Sequence, residues 1–167
     1  MWGIWYRVEL QDSPNLPSQE YLSDMSNRIN SWIDIDFTQA LKIKAELAWS
    51  LCTLFWNKYV DLLDLRGIDL SWKIIKNYDL SYSCLDGANF QDSELEDIGF
   101  QFSCFQWANF SKARLMNIQA SPIFMVNPSF LDSTVEGWFF ENSTIINPYI
   151  KGLVIKNSEW LKKILEI

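Results

Sequence analysis

The sequence predicts a mainly β solenoid with α-helical ends. Over residues 63–157 an apolar residue recurs at every fifth position, and Gly, Asn or Asp follows it two positions later in thirteen of nineteen units. The segments on either side instead repeat apolar residues at the three- and four-residue spacing of helices. The chain therefore divides into an N-terminal helical part at 1–62, the solenoid at 63–157 and a C-terminal helix at 158–167.

The period of five excludes the two regular backbone structures. In an α-helix a stripe with this spacing would move around the surface, and in a flat strand an odd spacing would alternate between faces. The chain must therefore turn a corner once in every unit. The apolar centres are Leu65, Leu70, Ile75, Leu80, Leu85, Phe90, Leu95, Phe100, Phe105, Phe110, Leu115, Ala120, Met125, Phe130, Val135, Phe140, Ile145, Ile150 and Ile155.

The residues two positions before and two positions after the centres are of types that suit such corners. Gly, Asn and Asp suit a tight turn, because they tolerate unusual backbone angles or hydrogen-bond to their own backbone. A small residue beside each corner lets the chain turn around a narrow core. Small residues recur two positions before the centres, at Ser83, Ala88, Ser93, Ser103, Ala108, Ala113, Ser133 and Ser143.

This pattern resembles the pentapeptide-repeat family, whose consensus is roughly Ala-(Asp/Asn)-Leu-x-x. ANFQD at 88–92 and ANFSK at 108–112 match that consensus closely, and the resemblance covers more than half of the chain. It implies a right-handed quadrilateral β-helix with four units per coil, whose centres and preceding small residues point inward. Nineteen units would then make nearly five coils, or ~23 Å of rod at the usual spacing of strands.

The register weakens at 118–132, where the centres are Ala120 and Met125 and two prolines, Pro122 and Pro128, lie nearby. Two interpretations remain open for this segment. It could form a bulge or short loop, or a wider coil in which larger neighbours fill the space left by Ala120.

The ends of a solenoid need caps, because they expose apolar residues and unpaired backbone. QEYLSDMSNRINSW at 19–32 predicts a short helix, and a longer helix is expected from Thr38, its N-cap, to Leu63. These helices either only cap the first coil or also recognise a partner. MWGIWYRVEL at 1–10 could add an edge strand.

The C-terminal segment SEWLKKILEI predicts a second cap, a helix that begins after Ser158 as N-cap. Trp160, Leu161, Ile164 and Leu165 fall on one face of this helix. In pentapeptide-repeat proteins a C-terminal helix often also mediates dimers, so the resemblance leaves a homodimer through a solenoid end open.

The amino-acid composition and the apolar runs restrict where the protein is expected in the cell and whether it binds nucleic acid or membranes. A formal charge of −7 opposes direct binding of nucleic acid, which needs Lys and Arg to displace counterions. The N-terminal sequence lacks the basic start and apolar core of a secretory signal, and the longest apolar run, at 47–56, is half a membrane span. We therefore expect a cytoplasmic protein without membrane contact.

The residue types argue against catalysis and bound cofactors. Histidine is absent, no glycine-rich phosphate loop appears, and a filled β-helix offers no cleft to a carboxylate pair. We therefore expect no catalytic residue, no cofactor and no metal. Cys84 and Cys104 lie one coil apart and should stack on one face, as free thiols in an outward ladder rather than as a disulfide or metal site.

Large aromatic residues at predicted outward positions are the strongest candidates for partner binding. Tyr82 and Phe102 should stack one coil apart, with Trp107 at the next corner. Such a patch is typical of a specific protein interface, unless the N-terminal helices cover it. With the densest acidic cluster, the candidates are Trp72, Tyr82, Phe102, Trp107, Trp138, Asp92, Glu94, Glu96 and Asp97.

These features predict a non-catalytic scaffold for one protein partner, used as an immunity or inhibitor protein against a toxin or enzyme, or as an adaptor. The resemblance implies an alternative, because some pentapeptide-repeat proteins imitate the width and charge of duplex DNA and bind DNA gyrase or topoisomerase. This chain departs from that type. Eleven acidic and seven basic residues give 63–157 a charge of only −4, and an acidic stripe would be interrupted by Lys112, Arg114, Lys151 and Lys156.

Overall fold

The computed structural model describes residues 8–11, 15–31, 33–47 and 59–167. Among them no helix is long and apolar enough to cross a membrane. The elements in chain order are β1 Val8–Gln11, α1 Gln19–Asn30, β2 Lys42–Leu47, β3 Tyr59–Asp64, β4 Ile74–Asp79, β5 Ser83–Cys84, β6 Glu94–Gly99, β7 Ser103–Gln106, β8 Arg114–Met116, β9 Ile123–Val126, β10 Thr134–Glu136, β11 Thr144–Ile146, β12 Val154–Lys156 and α2 Glu159–Leu165.

The predicted solenoid is confirmed, with four five-residue units in each coil. Parallel strands pair with an offset of twenty residues, as in Leu95 with Leu115 and Cys84 with Cys104. One sheet runs β3-β5-β7-β9-β11 through the coils, and a second runs β12-β10-β8-β6-β4. The units of the two sheets are ten residues apart in the chain, so the sheets form opposite sides of each coil. Isolated bridges such as Asn89 with Asn109 join the coils along a third side.

Phenylalanine stacks fill the core. Phe110 lies between Phe90 and Phe130, with ring centroids 4.7 and 5.2 Å apart and nearly parallel planes. Phe100 meets Phe105 edge to face at 5.1 Å. Because each coil contains four units of five residues, each centre lies above the centre twenty residues earlier. One residue type repeated at this spacing therefore produces a continuous stack.

The corners adopt the left-handed backbone conformation. The second residue after each centre has positive φ at every unit from Gly67 to Asn157 except at Pro122. Glycine, asparagine and aspartate reach this region at the lowest cost. Their enrichment at this column in the sequence is therefore the local cause of the coil.

The segment 118–132 forms a coil without an inserted loop. Strand β9 keeps the twenty-residue register, with Phe124 opposite Cys104 on one side and Thr144 on the other. Ala120 is fully buried, and Ile118 and Trp138 lie in the same core cluster. Ile118 and Trp138, each two positions before a centre, therefore share the core with the small side chain of Ala120, as the wider-coil interpretation predicts.

The short N-terminal helix is confirmed as a cap on the first coil. Ser18 accepts a hydrogen bond from the Tyr21 amide at its start, and Leu22, Met25 and Ile29 are buried in the solenoid core cluster. Further bonds tie this segment to the coil: Ser26 Oγ donates to Asp69 O at 2.7 Å, and Tyr78 Oη donates to Ile33 O at 2.8 Å.

The longer helix expected over Thr38–Leu63 is wrong. Residues 37–40 form a turn, in which Asp36 Oδ1 accepts from Thr38, and β2 pairs antiparallel with β3. Ile43 and Ala45 are buried while Lys42 and Lys44 are exposed, an alternation of period two that suits a strand. The rest of the predicted helix, at 48–58, lies outside the described residues.

The N-terminal strands extend the solenoid sheet. β3 pairs in parallel with β5, so the hairpin satisfies the open edge of the first coil, and β1 adds an antiparallel strand to β2. The edge-strand prediction for 1–10 is thus confirmed at Val8–Gln11, while residues 1–7 lie outside the described part. In its described residues, the attachment predicted at 1–62 is mixed, with helix α1, strands β1 and β2 and most of β3.

The C-terminal helix α2 caps the last coil, with Leu161 buried and Ile164 and Leu165 packed against the core. Two details differ from the expectation. The Ser158 hydroxyl accepts a bond from the Trp138 amide at 2.8 Å and makes no cap bond within the helix. Trp160 turns outward, is 47% exposed, and lies under the Lys163 ammonium.

Candidate functional site

The corner residues form four columns along the rod, each advancing by twenty residues. Corner 1 comprises Gly67, Gly87, Trp107, Asn127 and Asn147. Corner 2 comprises Trp72, Asp92, Lys112, Asp132 and Gly152. Corner 3 comprises Asn77, Asp97, Asn117, Gly137 and Asn157, and corner 4 comprises Tyr82, Phe102, Pro122 and Asn142.

These columns divide the predicted site between opposite sides of the molecule. Tyr82 and Phe102 lie on corner 4, and Trp107 lies on the adjacent corner 1; between them runs the sheet of β5, β7, β9 and β11. The acidic residues lie on the opposite sheet and its two corners, as does Trp72. One partner surface cannot include both sets without wrapping around the rod.

The first set, Tyr82, Phe102 and Trp107, is called the aromatic surface below. Tyr82 and Phe102 stack with ring centroids 4.9 Å apart and planes 13° from parallel, as the one-coil spacing predicts. Tyr82 is 42% exposed and Trp107 is 69% exposed, so the N-terminal elements that the structure describes do not cover them. Phe102 is half-buried, and an exposed ring stacked on it beside a third ring is a feature of protein-binding surfaces.

The aromatic surface is held at a conformational cost. φ is 56° at Tyr82, 60° at Phe102 and 59° at Trp107, in the left-handed region that bulky residues rarely occupy. Asn or Asp occupies the same position in many other units at lower cost. The aromatic rings are thus placed where the fold alone favours a smaller residue, and such strain tends to occur at functional sites.

Trp138 does not belong to the surface, and its predicted outward position is wrong. It is only 2% exposed, and its ring centroid lies 4.5 Å from that of Phe140 and 5.7 Å from that of Phe130. Trp138 stands two residues before the centre Phe140, which is the inward position of the repeat. The five-residue period therefore predicts that Trp138 is a core residue.

Trp72 is the most exposed of these aromatic residues, at 74%, and has φ of 61°. It lies on corner 2, diagonally across the coil from Tyr82. It therefore shares the backbone conformation of the aromatic surface without sharing its location.

The acidic cluster is partly neutralised. Lys76 Nζ lies 2.6 Å from Glu96 and 3.5 Å from Glu94, and its hydrogen bond to Glu96 raises the pKa of Lys76 above its usual value. Arg114 stands opposite Glu94 in the parallel ladder of the next coil. Asp92 and Asp97 flank this side at corners 2 and 3. The two Glu residues therefore form part of a mixed-charge side, and no continuous acidic stripe runs along it.

Cys84 and Cys104 stack on one side as predicted, but their ladder is buried, contrary to the outward exposure expected of it. Both are at most 1% exposed and form a second apolar cluster with Ile43, Ala45 and Leu62, which the hairpin of β2 and β3 supplies. Both thiols are free. The contact with Cys84, and then burial, raises the pKa of the Cys104 thiol well above its usual value.

Asp86, which the sequence did not single out, lies beside this thiol pair. Its Oδ1 accepts a hydrogen bond from the Gln106 amide at 2.7 Å, and desolvation raises the pKa of its carboxyl group. Asp86 lies two residues after Cys84, just beyond the outward-facing end of β5, and its carboxyl group is therefore close to both thiols.

Comparison with known proteins gives matches in structure alone. No protein-family model matches the chain, and no curated protein sequence matches it significantly. Several solved structures are similar, including two of pentapeptide repeat proteins. A pentapeptide repeat protein, Rfr23, from the cyanobacterium Cyanothece 51142 is 20% identical with a TM-score of 0.38, over 46% of this chain and 59% of that one.

Another is HetL, a pentapeptide repeat protein involved in heterocyst differentiation regulation in Nostoc sp. strain PCC 7120. It is 19% identical with a TM-score of 0.28, over 55% of this chain and 38% of that one. The chain thus spans less than two thirds of the length of either protein. Its own corners every five residues, four to a coil, give it the fold of a pentapeptide-repeat protein.

Proposed function

We propose that this chain is a non-catalytic, cytoplasmic scaffold that binds one protein partner through the aromatic surface. The observation that carries the proposal is the exposure of Trp107 and of Tyr82, which stacks on Phe102, at corners where the backbone favours Gly, Asn or Asp. Aromatic side chains dominate the binding energy of many protein interfaces, since they bury a large area with few rotatable bonds.

The mechanism is steric. Each coil is fixed by parallel pairing to its neighbours and by the packed phenylalanine core, so the rings at corners 4 and 1 are presented on a rigid support. A rigid surface loses little conformational entropy on binding. An immunity or inhibitor protein that blocks a toxin or enzyme, or an adaptor, would use such a surface.

The test compares capture of the partner from an extract of the native host. The tagged chain is compared with a variant carrying Tyr82→Asn, Phe102→Asn and Trp107→Asn, which places a common corner residue at all three positions. Trp72→Asn is the matched control, because it makes the same change in the same backbone conformation on corner 2. We expect a protein captured by the wild type and by the control to be lost from the triple variant.

Two results would contradict the proposal. One is a partner that the triple variant retains in full. The other is a partner lost on Trp72→Asn alone, because that result would place the interface at corner 2.

A DNA-mimicking regulator of gyrase or topoisomerase is the alternative, favoured only by the acidic residues Glu94, Glu96, Asp92 and Asp97. The contacts of Lys76 with Glu94 and Glu96 and the position of Arg114 weaken the resemblance to a phosphate backbone. We expect no inhibition of gyrase supercoiling, and no protection from quinolones, at micromolar protein. Clear inhibition that is removed by Glu94→Gln and Glu96→Gln would favour the alternative.

A further inference from the structure

A pair of thiols and one carboxylate converge on the outer face of the solenoid sheet. The Sγ atoms of Cys84 and Cys104 and a carboxylate oxygen of Asp86 all lie within 4.8 Å of one another. Cys84 belongs to β5 and Cys104 to β7, and the two are direct partners in the parallel ladder. The cluster therefore joins two successive coils.

The surroundings bury the two thiols and leave the Asp86 carboxylate at the edge of the cluster, partly accessible to solvent. Cys84 and Cys104 are buried against Ile43, Ala45 and Leu62, and Asp86 is partly buried beside them. Asp86 accepts one hydrogen bond from the Gln106 amide, but thiols are weak hydrogen-bond donors, so on the side of the two cysteines the partly desolvated carboxylate is poorly compensated. Packing alone would be satisfied by apolar side chains at these positions.

The donor set suits one metal in particular. Zn²⁺ takes four tetrahedral ligands, with Zn–S near 2.3 Å and Zn–O near 2.0–2.2 Å, so ligand atoms around one ion stand about 3.8 Å apart or less. The three ligand atoms lie within 4.8 Å of one another, so they would have to move closer by up to about 1 Å to coordinate one ion. Cu(I) favours sulfur ligands, whereas an added carboxylate oxygen suits Zn²⁺.

We propose that Cys84, Asp86 and Cys104 form a binding site for a single Zn²⁺ ion, with one tetrahedral position left for water. Binding involves no electron transfer. The two thiols release their protons to solvent and become thiolates, and with the Asp86 carboxylate they supply three negative charges to the divalent ion. The ion would clip the second coil to the third beneath the hairpin of β2 and β3.

Co²⁺ is the spectroscopic probe for this site, because thiolate ligands give it a near-ultraviolet charge-transfer band and tetrahedral coordination strengthens its visible bands. The full chain is reduced with a phosphine, freed of metal with a chelator and titrated with Co²⁺ until the spectrum is stable. We expect one equivalent to bind and one equivalent of Zn²⁺ to remove the bands. A reduced, folded protein that gives no thiolate band overturns the proposal.

Substitutions assign the ligands. We expect Cys84→Ser and Cys104→Ser to weaken Co²⁺ binding by more than the roughly 10–100-fold that loss of an outer-shell partner costs, and Asp86→Asn to weaken it measurably. Cys52→Ser removes the third cysteine of the chain and is the matched control, with binding unchanged. Bands that survive in the Cys84 and Cys104 variants, or that vanish only in the Cys52 variant, overturn the assignment.

A second measurement needs no variant and so does not depend on the folding of one. The wild-type thiols are alkylated with and without Zn²⁺ under mild denaturant, and the modified peptides are identified by mass spectrometry. We expect Zn²⁺ to slow modification of Cys84 and Cys104 at least about tenfold more than that of Cys52. Equal rates with and without Zn²⁺ at Cys84 and Cys104 contradict the site.

Discussion

At the residue scale, the position two residues after each centre determines the turns of the coil. It also contains the residues that depart from the Gly, Asn or Asp typical of this position. Most units place Gly, Asn or Asp there and adopt positive φ at little cost. The same conformation is imposed on four aromatic residues and on Lys112. Backbone geometry is therefore common to all these corners, and the side chain is the part that varies.

Two glycine corners separate the backbone cost from the steric cost. At Gly67, φ is 75° and an added Cβ would meet no atom within 4 Å, so we expect Gly67→Ala to reduce the free energy of unfolding by about 1–2 kcal/mol through the backbone alone. At Gly137, where φ is 66°, the added Cβ would come within 2.7 Å of Asn117 Oδ1, so Gly137→Ala should cost at least as much, because the Asn117 side chain must also move. Urea denaturation measures both, and the reverse order would contradict this explanation of the corners.

The central phenylalanine of the stack is the most sensitive core position. Phe110 is fully buried between two rings, so Phe110→Ala should reduce the free energy of unfolding by about 3–5 kcal/mol. Phe139→Ala is the matched control, since Phe139 is outward and 42% exposed, and its loss should cost less than about 1 kcal/mol. Similar losses for the two variants in chemical denaturation would contradict the assignment of inward and outward positions.

At the scale of elements, a buried ion pair fixes the start of the solenoid. Arg66 donates to both carboxylate oxygens of Asp64 at 2.8 and 3.0 Å and to Asn15 O at 2.7 Å. Asp64 closes β3, so the pair links the hairpin, the segment before α1 and the first corner. The hydrogen bond to Asp64 raises the pKa of Arg66 and keeps it charged.

Removing one partner of this pair should be costly. We expect Arg66→Met to reduce the free energy of unfolding by about 3–5 kcal/mol, because Asp64 would remain buried and unpaired. Arg28→Met is the matched control: the Arg28–Asp24 pair has the same 2.8 Å separation but is 42% and 54% exposed, and its loss should cost about 0–1 kcal/mol. Thermal or urea unfolding distinguishes these outcomes, and equal losses would contradict the buried role of Arg66.

The elements also show how far sequence predicts structure here. The coils were predictable because one period extends over nineteen units, and Tyr82 and Phe102 could be paired from their spacing alone. The segment Thr38–Leu63 failed because its apolar residues fit a helix, whereas Lys42–Ala45 also alternates with period two. β3 pairs with the edge of β5 and β2 with the edge of β3, and these edges exist only in three dimensions.

The candidate site was predictable in parts. The corner positions of Tyr82, Phe102 and Trp107 follow from the repeat, and the same rule excludes Trp138. The separation of the acidic cluster from the aromatic surface can be predicted only by assigning each residue to a corner. That assignment requires the number of units per coil. Burial of Cys84 and Cys104 could not be anticipated, because the hairpin strands that pack with them had been assigned to a helix.

At the scale of the whole molecule, the solenoid separates stability from specificity. Inward columns and parallel pairing hold each coil to the next, while outward side chains on the corners contribute little to the core. Substitutions at an exposed corner therefore change what the rod presents without changing how it folds. The proposed binding role of the aromatic surface therefore predicts that its side chains are dispensable for the fold.

The free energy of unfolding of Trp107→Asn, measured by urea denaturation, tests this claim most directly. Trp107 is 69% exposed at φ of 59°, so asparagine should relieve backbone strain and leave the core intact. We expect stability equal to that of the wild type or higher by up to about 1 kcal/mol. A loss of about 2 kcal/mol or more would show that Trp107 supports the fold, and would contradict its assignment to partner binding.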